Sequence, residues 1–141
     1  HIDTSANYAQ AYKEIAPKLD EAIQFLQRYL QSRGLDVPPS NTYWSIYAGL
    51  VSKLMYFKAF TMWKLERGSK EEIDQLFVMS AHVLPNKDTE ANEEILEDIA
   101  VQYRIFKEQH GEPNTVNLHD EALAENFSTT QCLSYIVENV L

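Results

Sequence analysis

Apolar residues recur every three or four positions in the first part of the chain, and this spacing constrains the fold most strongly. The residues that carry the pattern are Tyr8, Tyr12, Ile15, Leu19, Ile23, Leu26 and Leu30. Steps of three and four keep side chains on one face of a helix, so the pattern predicts a helix over about residues 5–33. Pro17 lies inside the stripe without changing its phase, which predicts a kinked helix or two nearly collinear ones.

Glycines punctuate the rest of the chain in the way that helix ends do. Gly34, Gly68 and Gly111 each follow a long stretch with the same apolar spacing, and glycine commonly ends helices. Two pairs have the spacing of an N-terminal capping box, namely Ser69 with Glu72 and Ser128 with Gln131. Further helices are predicted over about 42–67, 69–84, 89–110, 119–126 and 129–140. No segment shows a persuasive strand alternation, so the predicted class is all-α.

The stretch 42–67 is the most apolar in the chain and holds seven of its sixteen aromatic residues. Lys53 and Lys58 lie in its middle, and each would cost about 3 kcal/mol at the centre of a bilayer. The sequence therefore predicts no membrane span. A helix that is apolar on most sides is typical of the centre of a bundle. We expect residues 1–141 to form a single all-α domain, a bundle of five to six helices around this central aromatic-rich helix.

Catalytic signatures are missing from the sequence. It has no glycine-rich phosphate loop, no nucleophile elbow and no His-Glu-x-x-His motif. The single cysteine, Cys132, excludes an internal disulfide and a cysteine-based zinc cluster. We therefore predict a protein that is not an enzyme, with no catalytic residues, no cofactor and no metal site. A site assembled from distant residues around His82 or His119 stays open as a third hypothesis.

Charge is divided unevenly along the chain. Residues 1–68 carry eight Lys/Arg and six Asp/Glu, a balance of +2, whereas residues 69–141 carry four and fifteen, a balance of −11. An acidic half repels nucleic acid and attracts basic protein surfaces. The sequence thus predicts a basic protein partner and no nucleic acid, with a homodimer as a further arrangement. It leaves the compartment open, with the cytoplasm as the default and a removed targeting segment before His1 as the alternative.

The acidic excess is concentrated in the predicted fourth helix. Glu93 with Glu97, and Glu94 with Asp98, are like-charge pairs one turn apart, which mildly destabilise a helix. Calcium loops need ligands at alternate positions around a glycine, and this helical spacing does not favour a metal. One face sets aliphatic residues among carboxylates: Glu94, Asp98, Val101, Ile105 and Glu108. Such a face resembles a small interface, and the predicted partner-binding residues are Glu90, Glu94, Glu97, Asp98, Val101 and Ile105.

Two alternatives to a partner face remain open at this point. Val101 and Ile105 can instead pack against another helix of the same bundle. The aromatic helix can also form a small-molecule pocket, opened by Gly49 and walled by Trp44, Tyr47, Tyr56 and Trp63. By analogy of size and charge alone, we predict a non-catalytic acidic module of the inhibitor, immunity, chaperone or adaptor type. A helical small-molecule-binding or sensory domain is the alternative.

Overall fold

Six α-helices build the structure, a computed structural model that describes residues 5–33, 42–112 and 117–141. They are α1 (Ser5–Arg33), α2 (Thr42–Lys64), α3 (Lys70–Val83), α4 (Glu90–Gln109), α5 (Leu118–Glu125) and α6 (Thr129–Asn139). The described part of the chain contains no strand. This confirms the predicted all-α class with five to six helices. The largest difference is at the end of α2, which stops at Lys64 rather than near residue 67.

Pro17 lies within one helix, because α1 runs from Ser5 to Arg33 through it. The side chain of Pro17 is exposed, while Leu19 and Leu26 are buried in the core. Proline in a helix interior removes one backbone hydrogen bond. The continuous apolar stripe of α1 packs against α2 along its length, and this packing outweighs the lost bond.

Helix α2 is central, as predicted, and contacts α1, α3, α4 and α6. Eleven of its residues are buried, including Ser52, whose hydroxyl donates a hydrogen bond to the Ser80 carbonyl at 2.7 Å. Buried polar groups need such partners, and this one joins α2 to α3. None of the helices in the described ranges is both long and apolar enough to cross a membrane.

Aromatic rings hold the middle of the bundle together around Phe77 of α3, which has no exposed surface. Its ring centroid lies 6.1 Å from that of Tyr56 and 6.3 Å from that of Trp63, both on α2. On α4, the rings of Tyr103 and Phe106 lie at 5.8 and 5.6 Å. These separations are within the range in which aromatic pairs attract, so one ring joins three helices.

The helix ends follow the local signals with one exception. Ser128 and Gln131 form a complete capping box, and the Ser69 hydroxyl accepts from the backbone N–H of Glu72. Thr89 is the N-cap residue of α4, but its hydroxyl donates to the Asn86 carbonyl instead of capping the helix. Gly68 and Gly111 have the positive φ of helix-ending glycines, at +80° and +70°. The predicted helix end at Gly34 lies outside the described residues.

Gly49 sits where its helix has open space beside it. A Cβ atom built on Gly49 meets no heavy atom within 4 Å. We expect Gly49→Ala to raise the free energy of unfolding by about 0.5–1 kcal/mol, because alanine loses less backbone entropy in a helix. Urea unfolding measures the change.

Gly68→Ala is the matched control for this substitution. At a φ of +80° an alanine is strained, and its Cβ would collide with Cε of Met62, so we expect this variant to be less stable than the wild type. If Gly49→Ala were also destabilising, the position would require glycine, as a ligand pocket or a close crossing does.

Candidate functional site

Helix α4 lies alongside α2, and two hydrogen bonds and one electrostatic interaction relate their positions. Near the start of both helices, Nδ2 of Asn86 donates to Oγ of Ser45 at 3.0 Å. Near the end of both, Nε1 of Trp63 donates to Oε1 of Gln109 at 3.1 Å. Between them, burial and the nearby charge of Asp98 raise the pKa of Tyr56 to about 12. The two helices therefore run side by side in the same direction.

The four predicted acidic residues, Glu90, Glu94, Glu97 and Asp98, are all exposed on α4. None of them takes part in an ion pair with a residue in the described ranges. At about 100° per residue, they span an arc of roughly 100°, with Asp98 at one edge and Glu97 at the other. Asp98 lies on the side of α4 that meets α2, whereas Glu97 points towards α5, where it lies near His119.

The two predicted aliphatic anchors differ in exposure. Val101 is 41% exposed. Ile105 is half-buried and packs against the core, because it lies nearer the line along which α4 meets α2. The bundle therefore uses Ile105 internally, and Val101 is the aliphatic residue of the pair that α4 presents to solvent.

A larger exposed apolar surface lies on α2. The sequence predicted instead that other helices would bury most sides of this helix. Ile46 is 67% exposed, Leu50 49% and Phe57 46%. Steps of four and seven place these three side chains on one helix face, and Tyr43, 54% exposed, lies on the same line. We call Tyr43, Ile46, Leu50 and Phe57 the exposed α2 face. The sequence gives no clear signal for it, since α2 is apolar on most sides.

The exposed α2 face and the outer side of α4 lie on neighbouring helices, with the exposed Lys53 of α2 between them on the helix surface. Ser45, Tyr56 and Trp63 mark the line along which α2 meets α4. The exposed α2 face begins about a quarter turn away from that line, on the solvent side. We call the combined region the apolar–acidic surface: the exposed α2 face together with Glu90, Glu94, Asp98 and Val101.

The basic residues near the end of α2 do not neutralise these acids. Nζ of Lys64 lies 4.0 Å from the ring centroid of Trp63, and the guanidinium of Arg67 lies 4.7 Å from that of Tyr12. Such cation–π contacts hold both cations against the bundle. These two cations are therefore not paired with the acids of the apolar–acidic surface.

Two lysines of the acidic half, Lys70 and Lys107, form ion pairs elsewhere in the bundle. Lys107 contacts Asp74 at 2.8 Å and also pairs with Glu112, and Lys70 pairs with Glu112 as well. Hydrogen bonds from Lys107 and Lys70 lower the pKa of Glu112 to about 2. This network ties α3 to the end of α4, and its two lysines are not free to offset the acids of the apolar–acidic surface.

A buried polar cluster joins the end of α3 to α5 and α6. Nδ1 of His82 lies 2.5 Å from Oε2 of Glu125, and the imidazole is almost fully buried, as a satisfied core histidine should be. Nζ of Lys87 has no exposed surface and donates to the His82 carbonyl at 3.3 Å. Burial raises the pKa of the Cys132 thiol to about 11, partly offset by Lys87. A protonated buried thiol is a core residue rather than a nucleophile.

His119 lies in a second group of titratable side chains. A carboxylate oxygen of Glu93, one of Glu97 and a ring nitrogen of His119 all lie within 4.8 Å of one another. The group was not predicted, because nothing in the sequence of α4 indicates that a histidine lies beside its acids. Only the packing of α5 against α4 brings His119 to them.

Among the cavities lined by the described residues, none is lined by all four side chains of the alternative ligand pocket. Tyr47 lines a groove of about 340 Å³ between α1 and α2, together with Phe25, Leu50 and Leu54. Trp63 lines a separate cavity of about 560 Å³ beside Gly68. Trp44 is buried against the ring of Tyr29, with the two centroids 4.7 Å apart.

Two places in the described part of the chain therefore bring functional groups together: the apolar–acidic surface and the group around His119. Comparisons with protein-family models, with curated proteins and with solved structures gave no match to this chain. Its function is accordingly inferred from the geometry of these two places.

Proposed function

We propose that this protein is a non-catalytic protein-binding module that engages a basic protein through the apolar–acidic surface. Its role would be that of an inhibitor or immunity-type protein, or of a chaperone or adaptor. One observation carries the proposal: the exposed apolar side chains of α2 lie beside acids of α4 that form no ion pair with any described residue.

The exposed α2 face supplies the apolar centre that such an interface needs. Ile46, Leu50 and Phe57 are each about half exposed or more, and contiguous apolar patches on monomeric proteins commonly mark interaction sites. Covering them would contribute about 25 cal/mol for each Å² removed from water. Large side chains at the centre of an interface are the usual anchors of affinity.

The acids of α4 supply a charged rim on one side of this centre. Glu90, Glu94 and Asp98 can attract a basic partner and speed its association. A net charge of −9 opposes nucleic acid. It also disfavours a second copy of this chain, which would bring its own acidic rim to the same interface. The charge therefore favours a basic protein over a homodimer.

The test begins with photo-cross-linking from position 50, where benzoylphenylalanine replaces Leu50, in the native cells. The captured protein should be basic and should bind the purified wild-type chain directly. We expect Leu50→Asp to weaken that binding at least tenfold, about 1.4 kcal/mol, and rising salt to slow association. Surface plasmon resonance with circular dichroism of each variant provides both readouts.

Matched controls come from the C-terminal part of the chain. Leu141 is 39% exposed, so Leu141→Asp makes the same change away from the surface and should leave affinity within about twofold. Glu94→Lys should weaken binding, whereas Glu138→Lys on α6 should not. Val101→Asp is a cleaner probe than Ile105→Asp, because Ile105 packs against the core.

Two results would contradict the proposal. One is a partner whose binding is indifferent both to salt and to Leu50→Asp. The other is a homodimer, seen by light scattering in the absence of any partner, that Leu50→Asp dissociates, since a second copy would then occupy the surface.

A further inference from the structure

Glu93 and Glu97 of α4 and His119 of α5 bring two carboxylates and one imidazole to a single point. Their potential ligand atoms all lie within 4.8 Å of one another. A tetrahedral ion with ligands at about 2.1 Å holds them about 3.4 Å apart, so small side-chain rotations close the difference. We propose that Glu93, Glu97 and His119 form a binding site for one divalent transition-metal ion, with Zn²⁺ as the best fit.

The imidazole of His119 is already arranged as a ligand. Its Nε2 atom is buried and has no hydrogen-bond partner among the described residues, which is a costly state for a polar atom. Its Nδ1 atom lies 3.4 Å from Oδ1 of Asp120. Metal-ligating histidines commonly direct their second nitrogen to a carboxylate in this way. The contact favours the tautomer that leaves the lone pair of Nε2 free.

Helix α5 holds His119 in place beside α4. The side chain of Asn117 caps the helix by accepting from the backbone N–H of Asp120 at 3.2 Å. Leu118 and Ala122 are buried and anchor the helix on the core. His119 therefore projects from a capped and packed helix rather than from a loop, which is the rigidity that a ligand set needs.

A bound cation would also explain why two carboxylates lie close together without an ion-pair partner among the described residues. Glu93 and Glu97 are a like-charge pair one helical turn apart, and neither forms an ion pair with a residue in the described ranges. A divalent ion would neutralise their repulsion. Imidazole with carboxylate suits zinc and its neighbours, whereas Ca²⁺ and Mg²⁺ prefer oxygen ligands alone. Three protein ligands would leave a fourth position for water.

Zinc titration of the chelator-treated full chain tests the site. Isothermal titration calorimetry should show one equivalent bound through this site. At a hundredfold excess over the dissociation constant, the melting temperature should rise by roughly 5–10 °C. His119→Ala and Glu97→Gln should each weaken zinc binding at least tenfold, whereas the matched Glu94→Gln should leave it within about twofold.

A second readout separates ligation from a structural role. In the absence of metal, Glu97→Gln should keep or slightly raise the melting temperature, because it removes the like-charge pair, while abolishing the rise that zinc causes. Unchanged zinc affinity in His119→Ala, or no binding to the wild type, would overturn the proposal. So would Mg²⁺ or Ca²⁺ binding as tightly as zinc and surviving His119→Ala, since that defines a carboxylate-only site.

The zinc proposal stands apart from the proposed partner function. Leu50→Asp should leave zinc binding unchanged, because Leu50 belongs to the exposed α2 face and Glu97 points towards α5. Loss of one activity therefore carries no information about the other, and each set of variants reports on its own site.

Discussion

Phe77→Ala should lower the free energy of unfolding by about 3–5 kcal/mol, the usual cost of deleting a buried phenyl ring. Phe77 has no exposed surface and contacts rings on both α2 and α4. Its removal would leave a cavity where three helices meet. Urea unfolding followed by tryptophan fluorescence measures the loss, because Trp63 lies 6.3 Å from the Phe77 ring, between centroids.

The matched control is Phe57→Ala, the same chemical change on the exposed α2 face. Phe57 is 46% exposed, so its replacement should cost less than about 1 kcal/mol. Phe77→Leu keeps an apolar side chain and should fall between the two, which gives a readout if the alanine variant does not fold. Equal costs for Phe77→Ala and Phe57→Ala would mean that the aromatic cluster does not hold the helices together.

The helices could be predicted because their signals are local. The apolar stripe of α1 has one phase on both sides of Pro17, and the Ser128–Gln131 box defines the start of α6 within four residues. Such patterns depend on the backbone geometry of a single helix. Prediction of the element bounds therefore did not require any knowledge of which helices are neighbours.

The surface and the clusters could not be predicted, because they depend on which helices are neighbours. Nothing in α2 distinguishes the buried Met55 from the exposed Ile46; only the positions of α1, α3 and α4 do. Glu97 and His119 are distant in the sequence and lie near each other only because α5 packs against α4. The same holds for Ile105, where the packing of α4 beside α2 decided between interface and core.

Lys87 is a further case in which packing overrides composition, since a lysine is rarely fully buried. Its Nζ donates to the His82 carbonyl at 3.3 Å and lies 5.3 Å from the ring centroid of Phe127. Burial lowers the pKa of Lys87 below its ordinary 10.5, and the nearby Cys132 and Glu125 offset this only in part. The bundle therefore holds an ammonium group in a place that favours the neutral amine.

Lys87→Met should raise the free energy of unfolding by about 1–3 kcal/mol near pH 7, because methionine fills a similar volume without a charge to desolvate. The loss of one hydrogen bond to the His82 carbonyl, about 1 kcal/mol, is smaller than the desolvation that it removes. Urea unfolding of both chains measures the difference. Lys53→Met on α2, where the lysine is exposed, is the matched control and should stay within about 0.5 kcal/mol of the wild type.

The advantage of Lys87→Met should also depend on pH in one direction. Between the lowered pKa of Lys87 in the folded protein and 10.5 in the unfolded chain, the unfolded state binds more protons, so wild-type stability rises with pH. Methionine has no such group, and the difference between the two chains should therefore shrink from about pH 7 towards pH 10.5. If the Lys87→Met chain were instead less stable than the wild type at neutral pH, the expectation would be contradicted. The carbonyl, the Phe127 ring and Glu125 would then stabilise the ammonium by more than its burial costs.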